Sequence, residues 1–145
     1  MKIERRIASP EHYSDMRREK IVYIVVQSIN NKCTPHYHIC DGKAIQIVPD
    51  DYMSNSVNGG RLNHHGTLHG ICTKYNSISI GVNDRMTDED IATCVKLVMT
   101  LKQKYKVEKS NIIRQMDITG EASPGIWYDR GKWESDILKN LIDIS

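Results

Sequence analysis

The most continuous apolar stretch of the chain covers residues 21–26 and consists mostly of β-branched side chains. Such a run is typical of a strand that is buried on both faces near the middle of a sheet. Two shorter segments, 36–40 and 44–48, flank Asp41-Gly42, and this dipeptide predicts a hairpin turn between two strands. Residues 77–83 alternate between polar and apolar positions and predict a further strand.

Apolar positions at helical spacing predict a long helix that begins after the capping segment 87–90. Ser9 followed by Pro10 predicts a short helix over residues 10–19. A short strand over residues 111–114 is also expected. A C-terminal helix is indicated by three residues at intervals of four, Trp133, Ile137 and Leu141. The order of elements predicts an α/β protein with a mixed central sheet flanked by helices.

Length and composition narrow the possible functions. The chain has 145 residues with 39% hydrophobic content, which predicts a single domain over residues 1–145. Its net charge of +2 is spread along the chain, so a nucleic-acid partner is not expected. No apolar run approaches the ~20 residues of a membrane span, and the N-terminal segment lacks the apolar core of a secretory signal. The sequence therefore predicts a cytoplasmic protein without a membrane partner.

The four cysteines do not have the spacing of a metal site or the density of a disulfide scaffold. We expect reduced, mostly buried thiols. Residues 52–76 are rich in Gly, Asn, His and Ser and have no sustained periodicity. A loop of this length in a compact domain is more often functional than not.

Several short motifs follow one another in a recognisable order. They are His36-Tyr37 before Ile39 and Asp41-Gly42, the segments 46–49 and 76–82, and Pro124-Gly125 before the Trp-containing helix. Their order and spacing resemble the zinc-dependent N-acetylmuramoyl-L-alanine amidases, which include phage lysozyme-type amidases and peptidoglycan recognition proteins. The resemblance covers about residues 20–142 and implies a central mixed sheet with flanking helices and a groove for peptidoglycan.

The resemblance also shows which residues of that family are replaced. It places Gln27, Gln115 and Ser123 at the three positions where the family binds zinc. Neutral amides and a hydroxyl are poor zinc ligands, so neither a metal nor another cofactor is expected at this site. Without zinc there is no activated water for amide hydrolysis. Set against the resemblance, these three replacements therefore predict a pseudo-enzyme.

Further catalytic positions of the family differ as well. The assisting tyrosine aligns with Ile45, and the catalytic lysine of the final loop aligns with Glu121 or Ala122. The Trp-His pair of the long loop is replaced by Val57-Asn58. These changes extend the loss beyond the metal ligands.

The replacements still suit a binding site. The amides of Gln27, Asn58 and Gln115 offer both donors and acceptors, which predicts that a small polar ligand binds in the former catalytic groove, next to Ser123. In the alternative, these amides satisfy one another or the backbone in a closed core. Ser123 is alternatively only a turn residue.

Charged and aromatic residues extend this predicted site. Arg61 and Arg114 would favour an anionic ligand if they overhang the groove. Tyr37, Tyr75 and Trp127 could form stacking walls for a sugar or base, although core packing is the preferred role of Tyr37. The ligand is then either a muropeptide or a cytosolic nucleotide-type signal, which a viral protein would sequester in an infected bacterial cell. The sequence does not indicate the oligomeric state.

The histidines leave an alternative open. His36 and His38 lie two apart on a predicted strand and share a face. His64, His65 and His69 have the spacing of a metal pair but lack an intervening glutamate base. The alternative function is an active hydrolase with a metal site rearranged onto these three histidines. A protein-interaction module is a third possibility, which no particular residue supports.

Overall fold

A computed structural model of the chain describes residues 1–13, 15–17, 19–29, 34–54, 67–68, 71–119 and 123–141. Within this part, one mixed sheet has the strand order β1-β4-β3-β5-β2-β6. Only the β3–β4 pair of this sheet is antiparallel. The strands are β1 (Ile3–Arg5), β2 (Tyr23–Ser28), β3 (Tyr37–Cys40), β4 (Lys43–Gln46), β5 (Ser77–Val82) and β6 (Ile112–Arg114).

The helices are α1 (Asp88–Tyr105), α2 (Met116–Thr119) and α3 (Arg130–Asp136). Helix α1 begins with a capping box, in which the Thr87 side chain accepts from the Asp90 backbone and the Asp90 carboxylate accepts from Thr87. This helix contacts β2, β3 and β4. Short 3-10 turns occur at Pro10–His12, Lys109–Asn111, Gly125–Trp127 and Leu138–Asn140.

The two faces of the sheet have different environments. On what we call the helix face, Ile24, Val26 and Ile80 belong to a large core that includes α1, Trp127 and Trp133. On the opposite face, which we call the groove face after the groove that the sequence resemblance implies, Val25 and Ile113 pack in a small separate cluster. Paired residues of neighbouring strands point to the same face, so the register assigns each strand position to one of the two.

The predicted hairpin is confirmed. Asp41 and Gly42 connect β3 to β4 with φ angles of 51° and 71°. Positive φ at both central positions is the geometry of the type I′ turn, which matches the twist of the flanking strands. The predicted β2, β5 and α1 are also confirmed, with bounds that differ by a few residues.

The helix predicted over residues 10–19 is wrong. Among the described residues of this stretch, only Pro10–His12 forms a helical turn. The chain then runs past the segment after β4, where Met16 bridges to Tyr52 and the Arg17 Nε donates to the Asp50 carbonyl at 3.0 Å. These tertiary contacts override a local helical preference. The C-terminal helix is shorter than predicted because α3 ends at Asp136 and a 3-10 turn follows.

The described cysteines agree with the prediction of reduced thiols. Cys40, Cys72 and Cys94 are free, and the last two are buried. Burial raises the pKa of both buried thiols to about 12. Cys33 lies outside the described residues. None of the described helices combines the length and apolar content needed to cross a membrane.

Candidate functional site

The predicted groove residues meet at the carboxyl ends of β2 and β6. Val26 pairs with Arg114 in the parallel register, and the Gln115 backbone N–H donates to the Val26 carbonyl at 2.9 Å. Gln27 and Gln115 each follow one member of this pair, so they occupy equivalent positions on two neighbouring strands. Both continue the alternation of Val25 and Ile113, so both lie on the groove face.

Ser123 joins this pair through two hydrogen bonds. Its Oγ accepts from the Ser28 backbone N–H at 3.0 Å, and its carbonyl accepts from the Met116 N–H at 2.8 Å. Ser28 follows Gln27 and Met116 follows Gln115, so Ser123 is fixed beside both glutamines. The structure thus brings together the three positions at which the resemblance places the family's zinc ligands.

The two glutamine side chains are buried without satisfied oxygens. Gln27 is 2% exposed and Gln115 is 8% exposed. In the described part of the chain, the Oε1 atom of each has no hydrogen-bond partner. Within the described residues, the two amides therefore do not pair with each other in a closed core. Buried polar atoms are nearly always paired, so these two oxygens are exceptions within the described part of the chain.

His38 extends this row across the sheet; the sequence placed it on one strand face with His36 but gave it no role in the groove. His38 pairs with Gly81 of β5, and Gly81 pairs with Gln27 of β2, so all three positions share the groove face. The His38 Nε2 is buried, and no described residue gives it a hydrogen bond of good geometry. The pKa of His38 is lowered by burial, and Asn83 beside the ring and the charge of Asp90 offset only part of this effect. The pairing register of β3 with β5 is the signal that places His38 beside the glutamines.

His36 has a structural role on the same face. Its Nδ1 accepts from the Ser79 backbone N–H at 3.1 Å, so the proton of the neutral ring is on Nε2, which donates to the Tyr52 carbonyl at 2.8 Å. Burial lowers the pKa of His36 to about 4. The neutral ring ties β3 and β5 to the segment after β4.

Arg114 does not overhang the groove. It is 3% exposed and lies on the helix face opposite Val26. Its Nη1 donates to the carbonyls of Trp127 and Tyr128 at 3.0 Å, and its Nη2 pairs with Asp117 at 3.2 Å. The predicted role of this guanidinium in attracting an anion is therefore corrected to one in holding the segment after Ser123.

Two predicted stacking residues belong to the core. Trp127 is fully buried, packs against Trp133 with ring centroids 5.5 Å apart and donates from Nε1 to Asp136 at 2.9 Å. Tyr37 is 3% exposed on the helix face, and its hydroxyl donates to the Asp50 carboxylate at 2.6 Å. Core packing, the preferred role of Tyr37, is confirmed, whereas the position expected for Trp127 is corrected.

Tyr75 is exposed but lies at the other end of the sheet. It precedes β5 by two residues, whereas Gln27 pairs with Gly81 near the carboxyl end of that strand. Its ring contacts the Lys74 ammonium at 5.6 Å. Tyr75 therefore does not line the groove beside Gln27. Asn58, Arg61, His64, His65 and His69 all lie outside the described residues.

The chemistry of the three converging positions does not fit zinc. Two neutral amide oxygens and a hydroxyl that already accepts an N–H offer no imidazole, thiolate or carboxylate. In the described ranges, no group of three His, Cys, Asp or Glu side chains could hold a metal ion. A surface cavity of about 370 Å³ lies elsewhere, beside β1, β4 and α1, and none of the predicted site residues lines it.

Comparisons with known proteins agree with the architecture. Neither a protein-family model nor a curated protein matches the chain. Among solved structures, PlyL is 17% identical over 100% of both chains with a TM-score of 0.73. The catalytic domain of XlyA is 15% identical over 98% of this chain and 100% of that domain, with a TM-score of 0.74. The N-acetylmuramoyl-L-alanine amidase LysC from Clostridium intestinale is 14% identical over 93% and 96% of the chains, with a TM-score of 0.65.

This chain has the N-acetylmuramoyl-L-alanine amidase fold. The resemblance inferred from the sequence motifs is confirmed at the level of the fold, as is the predicted mixed sheet with flanking helices. Within the amidase fold, the unpaired oxygens of Gln27 and Gln115 distinguish this site chemically, because a metal-binding set would present imidazole, thiolate or carboxylate at such positions.

Proposed function

We propose that this chain is an amidase-fold protein that binds a muropeptide in the groove without a metal and without hydrolysing it. One observation carries the proposal. The Oε1 atoms of Gln27 and Gln115 are buried and unpaired among the described residues, at the positions where the sequence resemblance places zinc ligands. A peptide presents N–H donors to such oxygens, and the amide N–H groups of the same side chains can donate to its carbonyls.

The charged and aromatic side chains described at this end of the sheet favour a peptide over a nucleotide. A nucleotide needs cations for its phosphates and a stacking surface for its base. Arg114 and Trp127 are committed to the protein interior. At this end of the sheet, the carboxylate of Asp84 accepts from the Ser28 hydroxyl at 3.0 Å, which adds negative charge. An uncharged, hydrogen-bonding segment of a peptide suits this environment better than a phosphate.

The chemistry of the three converging side chains does not support hydrolysis. Hydrolysis of an amide at neutral pH by this fold's family requires a group that activates water, as zinc does. The three converging side chains provide neither metal ligands nor a general base, because an amide does not accept a proton at neutral pH. The groove would therefore hold an N-acetylmuramoyl peptide and release it intact.

Titration calorimetry in the presence of a chelator tests the proposal. An N-acetylmuramoyl-L-alanyl peptide should bind, and Gln27→Leu and Gln115→Leu should each weaken binding by about tenfold or more, since each removes hydrogen bonds to the ligand. Lys96→Gln is the matched control, because Lys96 is exposed on α1 on the far side of the sheet. Leucine should also leave the protein at least as stable, because it removes an unpaired buried oxygen.

Three results would contradict the proposal. They are no binding of the peptide, release of an L-alanyl peptide on incubation, and tight binding of a nucleotide in place of the muropeptide. The hydrolase alternative requires stoichiometric zinc that is lost on His69→Ala, and it remains a prediction from the sequence.

A further inference from the structure

The position of His38 extends the proposed groove beyond the glutamine pair. His38, Gly81 and Gln27 are register partners on three successive strands, β3, β5 and β2. Gln115 follows β6, the next strand in the sheet. One row on the groove face therefore carries three polar side chains, and each has a buried atom without a partner among the described residues.

The row has a defined length. Neighbouring strands lie about 4.8 Å apart, so His38 is about 10 Å from the Gln27 strand and about 14 Å from the line of Gln115. An extended peptide advances about 3.3 Å per residue. A ligand that contacts both ends of the row must therefore contain about four extended residues or an equivalent length of sugar and peptide.

The middle of the row is apolar. Gly81 has no side chain, and a Cβ atom there would lie 2.9 Å from the Pro35 Cγ and 3.2 Å from the Ile29 Cδ1. Pro35 and Ile29 therefore cover the sheet between His38 and Gln27. Ile45, the partner of His38 on β4, is also buried on this face. The row thus has a polar group at each end and an apolar step between them.

We propose that His38 is a ligand-contacting specificity residue, whose Nε2 forms a hydrogen bond with the distal part of an extended peptide ligand held at its other end by Gln27 and Gln115. This inference rests on the proposed function and adds to it a residue that makes binding depend on the length of the peptide stem. A muropeptide with a single amino acid would reach the glutamines only.

A length series measured by calorimetry tests the inference. The probes are N-acetylmuramoyl peptides with one, two, three and four residues, titrated into the wild type, His38→Leu, His38→Gln and the control Lys96→Gln. Affinity of the wild type should rise by about tenfold between the short and the long probes, as one hydrogen bond in a shielded site is added. His38→Leu should abolish this gain and leave the affinity for the one-residue probe unchanged.

The conservative variant separates contact from folding. His38→Gln places an amide near the position of Nε2 and should recover most of the gain for the four-residue probe. Thermal unfolding of each variant establishes that it is folded. A merely structural role of His38 would instead weaken all four probes by the same factor, because it would distort the whole groove.

The outcomes are distinct. If His38→Leu binds the long probe as tightly as the wild type does, the inference is wrong and the proposed function stands. If His38→Leu weakens every probe equally, His38 is structural and the inference is also wrong. If the wild type binds none of the probes, the proposed function and the inference fail together.

Discussion

At the scale of single residues, burial determines the protonation state of His36. The ring accepts from the Ser79 N–H and donates to the Tyr52 carbonyl, an arrangement that only the neutral form can make. The Arg17 Nη2 lies 3.2 Å from Nε2 and adds a positive charge that disfavours the imidazolium, while Asp50 acts in the opposite direction. His36 is therefore neutral in the folded protein far below the pH at which a free histidine titrates.

This protonation state predicts a pH dependence of stability. The pKa of His36 falls from 6.5 to about 4 on folding, so the unfolded chain binds the proton more tightly. The contribution is complete above pH 6.5 and is lost as the pH falls through about 4. The loss begins near pH 6.5 and reaches about 3 kcal/mol below about pH 4. Urea unfolding of the wild type should show this loss between pH 7 and pH 4.

His36→Gln is the comparison for that experiment. Glutamine does not titrate, so the variant should be less stable at pH 7 but lose less stability on acidification than the wild type. Carboxylates titrate equally in both proteins, and the difference between the two curves isolates the histidine. Parallel curves would show that His36 does not contribute.

At the scale of elements, a buried carboxylate joins the end of α1 to the end of the β3–β4 hairpin. Asp50 accepts from the Tyr37 hydroxyl at 2.6 Å, from Gln46 Nε2 at 3.2 Å and from the hydroxyl of Tyr105, the last residue of α1. Lys104 Nζ lies 3.6 Å from the carboxylate. Burial raises the pKa of Tyr37 and Tyr105, so both hydroxyls remain donors. This cluster fixes the segment that leads from β4 towards the groove face.

Removing the carboxylate should loosen that junction. Asp50→Ala leaves the buried Tyr37 hydroxyl without its acceptor and should lower the free energy of unfolding by about 2–4 kcal/mol. Asp51→Ala is the control, because Asp51 is the exposed neighbour and should change stability by less than about 0.5 kcal/mol. Equal effects of the two substitutions in urea unfolding would contradict the assignment.

The elements that the sequence predicted are those with a local signal. The apolar run of β2, the Asp41-Gly42 turn and the helical period of α1 each specify a structure within a few neighbouring residues. Strand β1 has three residues with one apolar position, and helix α2 has four residues, so neither shows a pattern; β6 is as short as β1 but carries two adjacent isoleucines. The helix predicted over residues 10–19 failed because Met16 and Arg17 are held by contacts with distant segments.

The site residues were predicted less accurately than the elements, because side chains alternate between the two faces of a strand. A shift of one residue moves a side chain to the other face of the sheet. Arg114 precedes Gln115, and Tyr37 precedes His38, so in each case the neighbouring residue lies on the groove face. Sequence motifs located these segments correctly, but only the register shows which of two adjacent residues faces the groove.

At the scale of the whole molecule, the fold holds Gln27, Gln115 and Ser123 close together at the three positions where the sequence resemblance places zinc ligands. Gln27→His, Gln115→His and Ser123→Asp combined should therefore create a zinc site of two imidazoles and one carboxylate. We expect one zinc per chain after dialysis against the metal, measured by atomic absorption, and far less in the wild type. A folded triple variant that binds no zinc would show that the three side chains do not converge.

The first strand has a consequence for how copies of this molecule behave towards one another. β1 pairs with β4 and covers backbone groups of Lys43–Gln46 that would otherwise form an open sheet edge. The new outer edge is only three residues long and carries Glu4 and Arg5, charged side chains that discourage pairing with another chain. The N-terminal segment thereby disfavours pairing between copies at this edge of the sheet.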